Sequence, residues 1–415
     1  MSAEASAPPR PLPNPSGARQ STLRATNLAL VLRTVCGAPA PVSRADVAGV
    51  TAMTRATAAR LVDELVAGGL LDEAERAAVP RRGRPATPLV PGARFAALGL
   101  QVDAGLLAAR VLDLRGRVVA ETVEDGDFVG SDPGTTLARL GRLTTELVAG
   151  LPGELRLVGA GLALPGIVDV DAGVLLRAPN LGWTDERPAD LLGAQLPDGL
   201  TLRLGNEADL AARAFADAAP GRPGRHRDFL YLSGQIGVGG AIVHAGEVMG
   251  GSSGWAGEIG HVCVDPAGPV CRCGSTGCLE RYAGRHALLA AAGLPRGTPA
   301  GRLRELATAG DPSAVRAISA AARALAVALA SVVNVLDVPT IVLGGHLGEL
   351  ADLLHAELAE QLYRRVLSAR WRSPQLEAAD SGPAAAATGA ALQALSAVVR
   401  EPGRWLTPVD RGSAA

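Results

Sequence analysis

Apolar positions along the first part of the chain fall at helical spacing. From Ser21 onward, Leu28, Leu32 and Val35 recur on one face of a first helix. Ser43 then reads as an N-cap, with Asp46 three residues on completing a capping-box-like start, and the short helix it opens ends near Gly49. Thr54 caps a third helix that carries Ala58, Leu61, Val62 and Leu65 on one side and stops at Gly68-Gly69. Leu70-Leu71 begins a strand, and PRRGRPATPLV reads as the return of a hairpin. Helix, short helix, turn, helix and hairpin is the order of a winged helix-turn-helix.

The period changes to two from Phe95. ALGLQV, LAARVLDL and RVVAETV are three strand-like runs, followed by a helix over about 134–149 and the strand LRLVGAGLAL leading into Pro165-Gly166. A second such half begins near Phe229, where FLYLSGQIGVGGAIV reads as strand, tight Gly turn, strand. Helices dominate from Ala283, and IVLGG at 341–345 is a buried strand ending at a helix start. This βββαβ order is that of an actin-like, sugar-kinase domain. The fold expected is therefore α/β: a two-lobed actin-like domain over 93–400, preceded by a helix-rich winged helix-turn-helix at 21–92. Residues 1–20 read as a disordered Pro/Ser/Ala-rich tail and 401–415 as a loose one.

Composition narrows the class. The 415 residues exceed the ~150 of a single domain. No run approaches the roughly 18 apolar residues of a membrane span, and the N-terminus lacks the apolar core of a secretory signal, so a cytoplasmic protein without membrane insertion is expected. The net charge of −1 hides an uneven distribution: 19–94 holds eleven Arg against six Asp and Glu, a net of +5, leaving −6 elsewhere. A basic head on an acidic body points to nucleic acid. The chain has no Lys, which removes any mechanism needing a lysine amine.

The head's third helix exposes Thr54, Arg55, Thr57 and Arg60 early; Arg can pair bidentately with guanine and a Thr methyl can touch a thymine methyl. In the hairpin, Arg81, Arg82, Gly83, Arg84 and Pro85 form a slim segment suited to a narrow minor groove, with Arg82 and Arg84 as its contacts. The plainer readings are a three-helix adaptor and a linker with arginines.

The sharpest signal in the body is GHVCVDPAGPVCRCGSTGCLE at 260–280. Cys271, Cys273 and Cys278, with His261 ten residues upstream, fit one structural zinc ion per chain in a tetrahedral Cys3His set. Cys36 and Cys263 stand apart and read as small apolar core residues. Glu258, three residues before His261, can grip adjacent hydroxyls of a sugar together with that imidazole. Glu280 adds an acceptor, and Asn206-Glu207, heading a helix after the strand TLRLG, suits polyol recognition.

These segments resemble the ROK family of repressors and sugar kinases. GGSSGWAGEIGHVCVDPAGPVCRCGSTGCLE matches its signature, and LPGIVD, APNLGW, GNEADLAA and SGQIGVGGAIV match further segments, over about residues 21–400. The resemblance implies zinc at His261, Cys271, Cys273 and Cys278, sugar contacts at Asn206, Glu258, His261 and Glu280, and a dimer or tetramer. It also carries departures. The kinases' phosphate loop D-x-G-G-T-K is here Asp103-Ala104-Gly105-Leu106-Leu107-Ala108, and their G-T-G-I-G is Ser233-Gly234-Gln235-Ile236-Gly237. The catalytic aspartate position holds Glu207, whose extra methylene displaces the carboxylate; a 1 Å misplacement can cost about a hundredfold. The expectation is a sugar-responsive repressor of carbohydrate uptake or catabolism genes, binding operator DNA as a homodimer or tetramer, with no kinase activity and Glu207 as a degenerate base position. Two alternatives are an ATP-dependent sugar kinase with a DNA-binding head, and a scaffold docked by a transport-system protein.

Overall fold

The capping box expected at Ser43 is formed: the Ser43 N–H donates to Asp46 Oδ2 at 2.8 Å, and the Asp46 N–H donates to Ser43 Oγ at 3.2 Å. The computed structural model describes residues 15–74, 87–380 and 382–406. The chain divides into two compact units, residues 1–91 with 398–415, and residues 92–397.

The first unit holds α1 (Pro15–Gly37), α2 (Arg44–Thr51) and α3 (Arg55–Ala67), then the antiparallel strands β1 (Leu71–Glu73) and β2 (Leu89–Pro91). Helix α1 starts at Pro15, ahead of the Ser21 expected, and α2 runs past Gly49 to Thr51. Leu28, Leu32, Val35, Ala58, Leu61, Val62 and Leu65 are all buried, so the two helical stripes read from the sequence meet in one small core. Gly69 at φ 74° turns the chain out of α3. The end of the chain differs from the loose tail expected from Glu401. Pro402–Arg404 form a short 3-10 turn with Pro402 buried, and the Leu406 side chain lies against Gly68. An apolar residue past the last helix found the exposed edge of the three-helix core.

The second unit is two α/β lobes. The first carries the sheet β10-β6-β3-β4-β5. Its strands are β3 (Phe95–Val102), β4 (Leu106–Asp113), β5 (Val118–Asp125), β6 (Arg156–Leu164) and β10 (Leu202–Asn206), with α4 (Pro133–Ala149) between β5 and β6. Strand β3 is buried at every position, as a central strand covered on both faces must be. A side sheet of β7 (Ile167–Asp169), β8 (Val174–Ala178) and β9 (Trp183–Glu186) precedes the short α5 (Pro188–Leu192), and α6 (Glu207–Ala216) follows β10. After a small hairpin of β11 (Asp217–Ala219) and β12 (Arg222–Pro223), the second lobe repeats the plan as β15-β14-β13-β16-β17. Here β13 (Phe229–Gly234), β14 (Val238–His244) and β15 (Glu247–Val248) form the meander, while β16 (Thr340–Gly344) and β17 (Gln375–Ala378) run parallel to β13.

The helices of this lobe are α7 (Glu280–Ala283), α8 (Arg285–Ala291), α9 (Ala300–Thr308), α10 (Pro312–Leu336), α11 (Gly345–Glu349) and α12 (Ala351–Arg365), and the last helix is α13 (Ala385–Arg400). Helix α10 contains an apolar window of mean hydropathy 1.8, long enough by composition to cross a membrane. Its Ala317, Ala321, Leu325 and Leu329 face are buried in the second lobe's core, so it is read as a core helix. The packing of α13 on the first sheet is close. A Cβ at Gly99 of β3 would lie 1.8 Å from the Ala387 carbonyl oxygen, so only glycine fits there.

Candidate functional site

In the first unit, α3 is held by its own cap. Thr54 Oγ1 accepts the Thr57 N–H at 3.2 Å and shares a 2.9 Å hydrogen bond with Thr57 Oγ1. Both hydroxyls are therefore tied to the helix start, leaving their methyls as the surface they offer. Arg55 and Arg60 are exposed and, among the described residues, make no ion pair. Other head arginines are neutralised: Arg24 pairs with Glu64, and Arg44 reaches Asp63 at 2.6 Å and Glu73 at 2.8 Å. The hairpin residues Arg82 and Arg84 lie outside the described residues.

In the second unit, the sequence-predicted metal residues converge. The donor atoms of His261, Cys271, Cys273 and Cys278 all lie within 4.8 Å of one another. Cys273 and Cys278 Sγ are 3.6 Å apart, and Cys271 Sγ is 3.9 Å from His261 Nδ1. A tetrahedron with metal–sulfur bonds of about 2.3 Å has edges of about 3.8 Å, so the four donors fit a metal ion of that kind.

The imidazole of His261 turns its other nitrogen outward: Nε2 lies 3.9 Å from Glu258 Oε2. That carboxylate faces a pocket lined also by Asp103, Asn180, Asn206, Glu207 and Glu280, with about 60 Å³ of free space. Glu280 is buried and joins the two sites. Its Oε2 accepts from Asn180 Nδ2 at 3.0 Å and from the Val238 N–H at 3.4 Å, while Cys271 Sγ lies 3.8 Å from its Oε1. Glu207, at the start of α6, accepts the Ser233 hydroxyl at 2.8 Å. Burial, and then the charge of Asp103, push the Glu207 carboxyl well above its ordinary range. Burial likewise raises Glu258, helped by Glu280 and opposed by His261.

Asn206 also lines the pocket, but its amide is already occupied. Oδ1 accepts the N–H groups of Ala208 and Asp209 as the N-cap of α6, and Nδ2 donates to the Gly166 carbonyl at 2.8 Å. Its first task is to set the helix that carries Glu207. Asn180, Ser233 and Asp209 were not singled out from the sequence. Asn180 sits in the APNLGW segment, where a Pro-Asn turn between two short strands is the one local sign. Asp209 is raised to about 7 by burial and by the charge of Glu258. Cys263, expected in a core, is exposed instead. Val262 and Val264 take the core-facing positions on either side of it.

On the pocket wall, Asp103 Oδ1 accepts the Gly105 N–H at 2.8 Å, closing a tight turn between β3 and β4 that leads to the other end of the cleft. Leu106 and Leu107 are the first residues of β4, and both are buried. A larger space of about 1020 Å³ opens there, lined by Leu106, Ile236, Arg285, His286, Arg296 and Gly345 among others.

Two lobes of the same strand order, with a carboxylate-lined pocket between them, define an actin-like fold of the sugar-kinase type. The sequence pattern of the ROK family matches residues 119–397, and the chain belongs to that family. It is 26% identical over 372 residues to the xylose repressor of Caldicellulosiruptor bescii, covering 86% of this chain and 92% of that one. It is 27% identical over 365 residues to the DNA-binding transcriptional repressor Mlc of Escherichia coli, covering 85% of this chain and 89% of Mlc. A solved ROK family transcriptional regulator, homologous to the E. coli MLC protein, has the same fold at a TM-score of 0.72 and 24% identity, covering 91% of this chain and 98% of its own.

Proposed function

We propose that this protein is a sugar-responsive transcriptional repressor of the cytoplasm, regulating genes of carbohydrate uptake or catabolism. One observation carries the reading: a capped third helix presenting exposed Arg55 and Arg60 shares a chain with a carboxylate-lined pocket in an actin-like domain, beside a turn that carries Leu106-Leu107. Similarity to a xylose repressor and to Mlc over most of the chain supports it. In this reading Glu207, Glu258, His261 and Glu280 bind the sugar, and Asn206, as the cap of α6, sets the position of Glu207. Thr54, Arg55, Thr57 and Arg60 meet the operator, joined by Arg82 and Arg84 of the hairpin. A homodimer, or a tetramer built from it, places paired third helices on two half-sites about one helical turn apart.

The metal is zinc, held by His261, Cys271, Cys273 and Cys278, a set with the softness and size that zinc takes. Bound there, zinc supplies a four-bond crosslink with no open coordination position, which is structural chemistry. Kinase activity is lost in this reading. Leu107 stands where the phosphate loop carries its Thr hydroxyl and Ala108 where it carries its Lys, and buried Glu207 is tied to Ser233.

The test is a gel shift on DNA selected from a random pool by the full-length protein, repeated with D-xylose and D-glucose. Arg55→Ala and Arg60→Ala should each weaken binding by about 1–3 kcal/mol where the side chain reads a guanine. No loss for either variant sinks the assignment of α3. A coupled ADP-release assay over common hexoses and pentoses should show no turnover, and sustained turnover would establish the kinase instead.

A further inference from the structure

The loop that supplies the metal ligands carries a fourth cysteine that the metal reading does not use. Cys263 is exposed and lies directly across an antiparallel bridge from Cys278. The flanking hydrogen bonds fix the kind of pair. The Val264 N–H donates to the Gly277 carbonyl at 2.8 Å, and the Leu279 N–H donates to the Val262 carbonyl at 2.9 Å. Neither cysteine exchanges backbone hydrogen bonds with the other, so theirs is the narrow, non-hydrogen-bonded pair, with Cα atoms about 4.5 Å apart. That separation falls within the range a disulfide spans. The faces also agree. Val262, Val264 and Leu279 pack on the core of the second lobe, so alternation turns Cys263 and Cys278 together toward the opposite side, where the metal ligands lie.

We propose that Cys263 is an oxidation site for hydroperoxides whose resolving partner is the metal ligand Cys278. The proposal rests on the zinc reading for its consequence, though not for its geometry. The Cys263 thiolate attacks one oxygen of hydrogen peroxide; an S–O bond forms, the O–O bond breaks, and the departing hydroxide is protonated to water. The Cys278 thiolate then attacks the Cys263 sulfur; an S–S bond forms, the S–O bond breaks, and a second hydroxide leaves as water. Two thiols have lost two electrons and one peroxide has become two waters. Cys278 can then no longer serve as a ligand, and a zinc ion held by this set would keep only His261, Cys271 and Cys273 and should be released. The segment 258–280, with Glu258 and Glu280 at its ends, loses its crosslink, so peroxide switches off the sugar response.

The experiment uses the full-length protein with its metal content measured first. Hydrogen peroxide is added, zinc release is followed with a chromogenic chelator, and alkylated peptides are mapped by mass spectrometry. A Cys263–Cys278 bridge should form together with zinc release, both reversed by dithiothreitol and added zinc. Cys263→Ser should release zinc at least tenfold more slowly while binding as much of it before treatment. Equal release from wild type and Cys263→Ser, or a bridge confined to Cys271, Cys273 and Cys278, overturns the proposal. A Cys263–Cys278 bridge in a protein that carries no zinc keeps the oxidation site and removes the zinc reading.

Discussion

The two ends of the cleft differ in how their polar atoms are satisfied: the open end brings together the equivalent β3–β4 and β13–β14 turns of the two lobes, and the carboxylate end is built from the start of α6 and the metal loop. At the carboxylate end, Glu280 takes hydrogen bonds from Asn180 and Val238, Glu207 takes one from Ser233, and about 60 Å³ is left free. At the other end, Leu106 and Ile236 occupy the turn positions, and about 1020 Å³ is open, with Arg285 and Arg296 on the wall. A buried network punishes the loss of any member, because the group left behind is unpaired away from water, at about 1–3 kcal/mol each. A wide, solvated space carries no such penalty. Changes at the open end should therefore leave the fold intact, whereas the same drift at the carboxylate end should unsettle it.

The sharpest way to break this contrast is Gly237→Ala. Its Cβ would fall 2.0 Å from Glu280 Oε2 and 2.6 Å from Asn180 Nδ2, inside the network itself. Affinity for whichever of D-xylose or D-glucose binds wild type should drop by at least about a hundredfold in calorimetry, a misplacement of roughly 1 Å being enough. Wild-type affinity retained would mean that the network is not the sugar site. Cys273→Ser should come next. It should lose zinc by elemental analysis and about tenfold in sugar affinity; zinc lost with affinity unchanged would make the metal a remote staple.

Asp209 gives a smaller and pH-dependent effect. Its folded pKa of about 7 stands above the ordinary 3.8, so the folded state holds a proton that the unfolded chain has released. Stability from this group falls as pH rises from about 4 through 7. Asp209→Asn should melt close to wild type at pH 4 and gain on the order of 1–3 kcal/mol over it at pH 8. An equal difference at both pH values would refute the buried-carboxylate account. Arg296→Ala, on the open side, should change sugar affinity by less than about twofold. A large loss there would show that the two ends act as one site.

Local patterns were readable in the sequence wherever the physics is local. The Ser43–Asp46 cap, the stripe of Ala58, Leu61, Val62 and Leu65, and the convergence of four metal donors within 261–278 all depend on short spacings. Asn180 and Ser233 were not legible, because their partners Glu280 and Glu207 are brought to them by the packing of separate elements. Cys263 could have been placed from alternation alone: it sits between Val262 and Val264, both turned to the core. Reading it as an apolar residue by type, instead of by position, put it on the wrong face. The turn at Pro402–Arg404 was missed because the helical core that Leu406 meets at Gly68 lies at the far end of the chain.

The metal segment does not stay within its own lobe. Arg177 Nη2, on the first lobe's side sheet, donates to the Cys273 carbonyl at 3.1 Å, and Arg272 Nη1 donates to Asn180 Oδ1 at 3.1 Å. These two hydrogen bonds tie the metal segment to the first lobe beside Asn180, a residue of the pocket wall. Under the proposed function, they should slow the release of a bound sugar more than its arrival. Arg272→Ala would then give the proposed repressor a shortened memory: in a stopped-flow or reporter assay it should respond to a pulse of sugar as promptly as wild type and recover sooner once the pulse has passed.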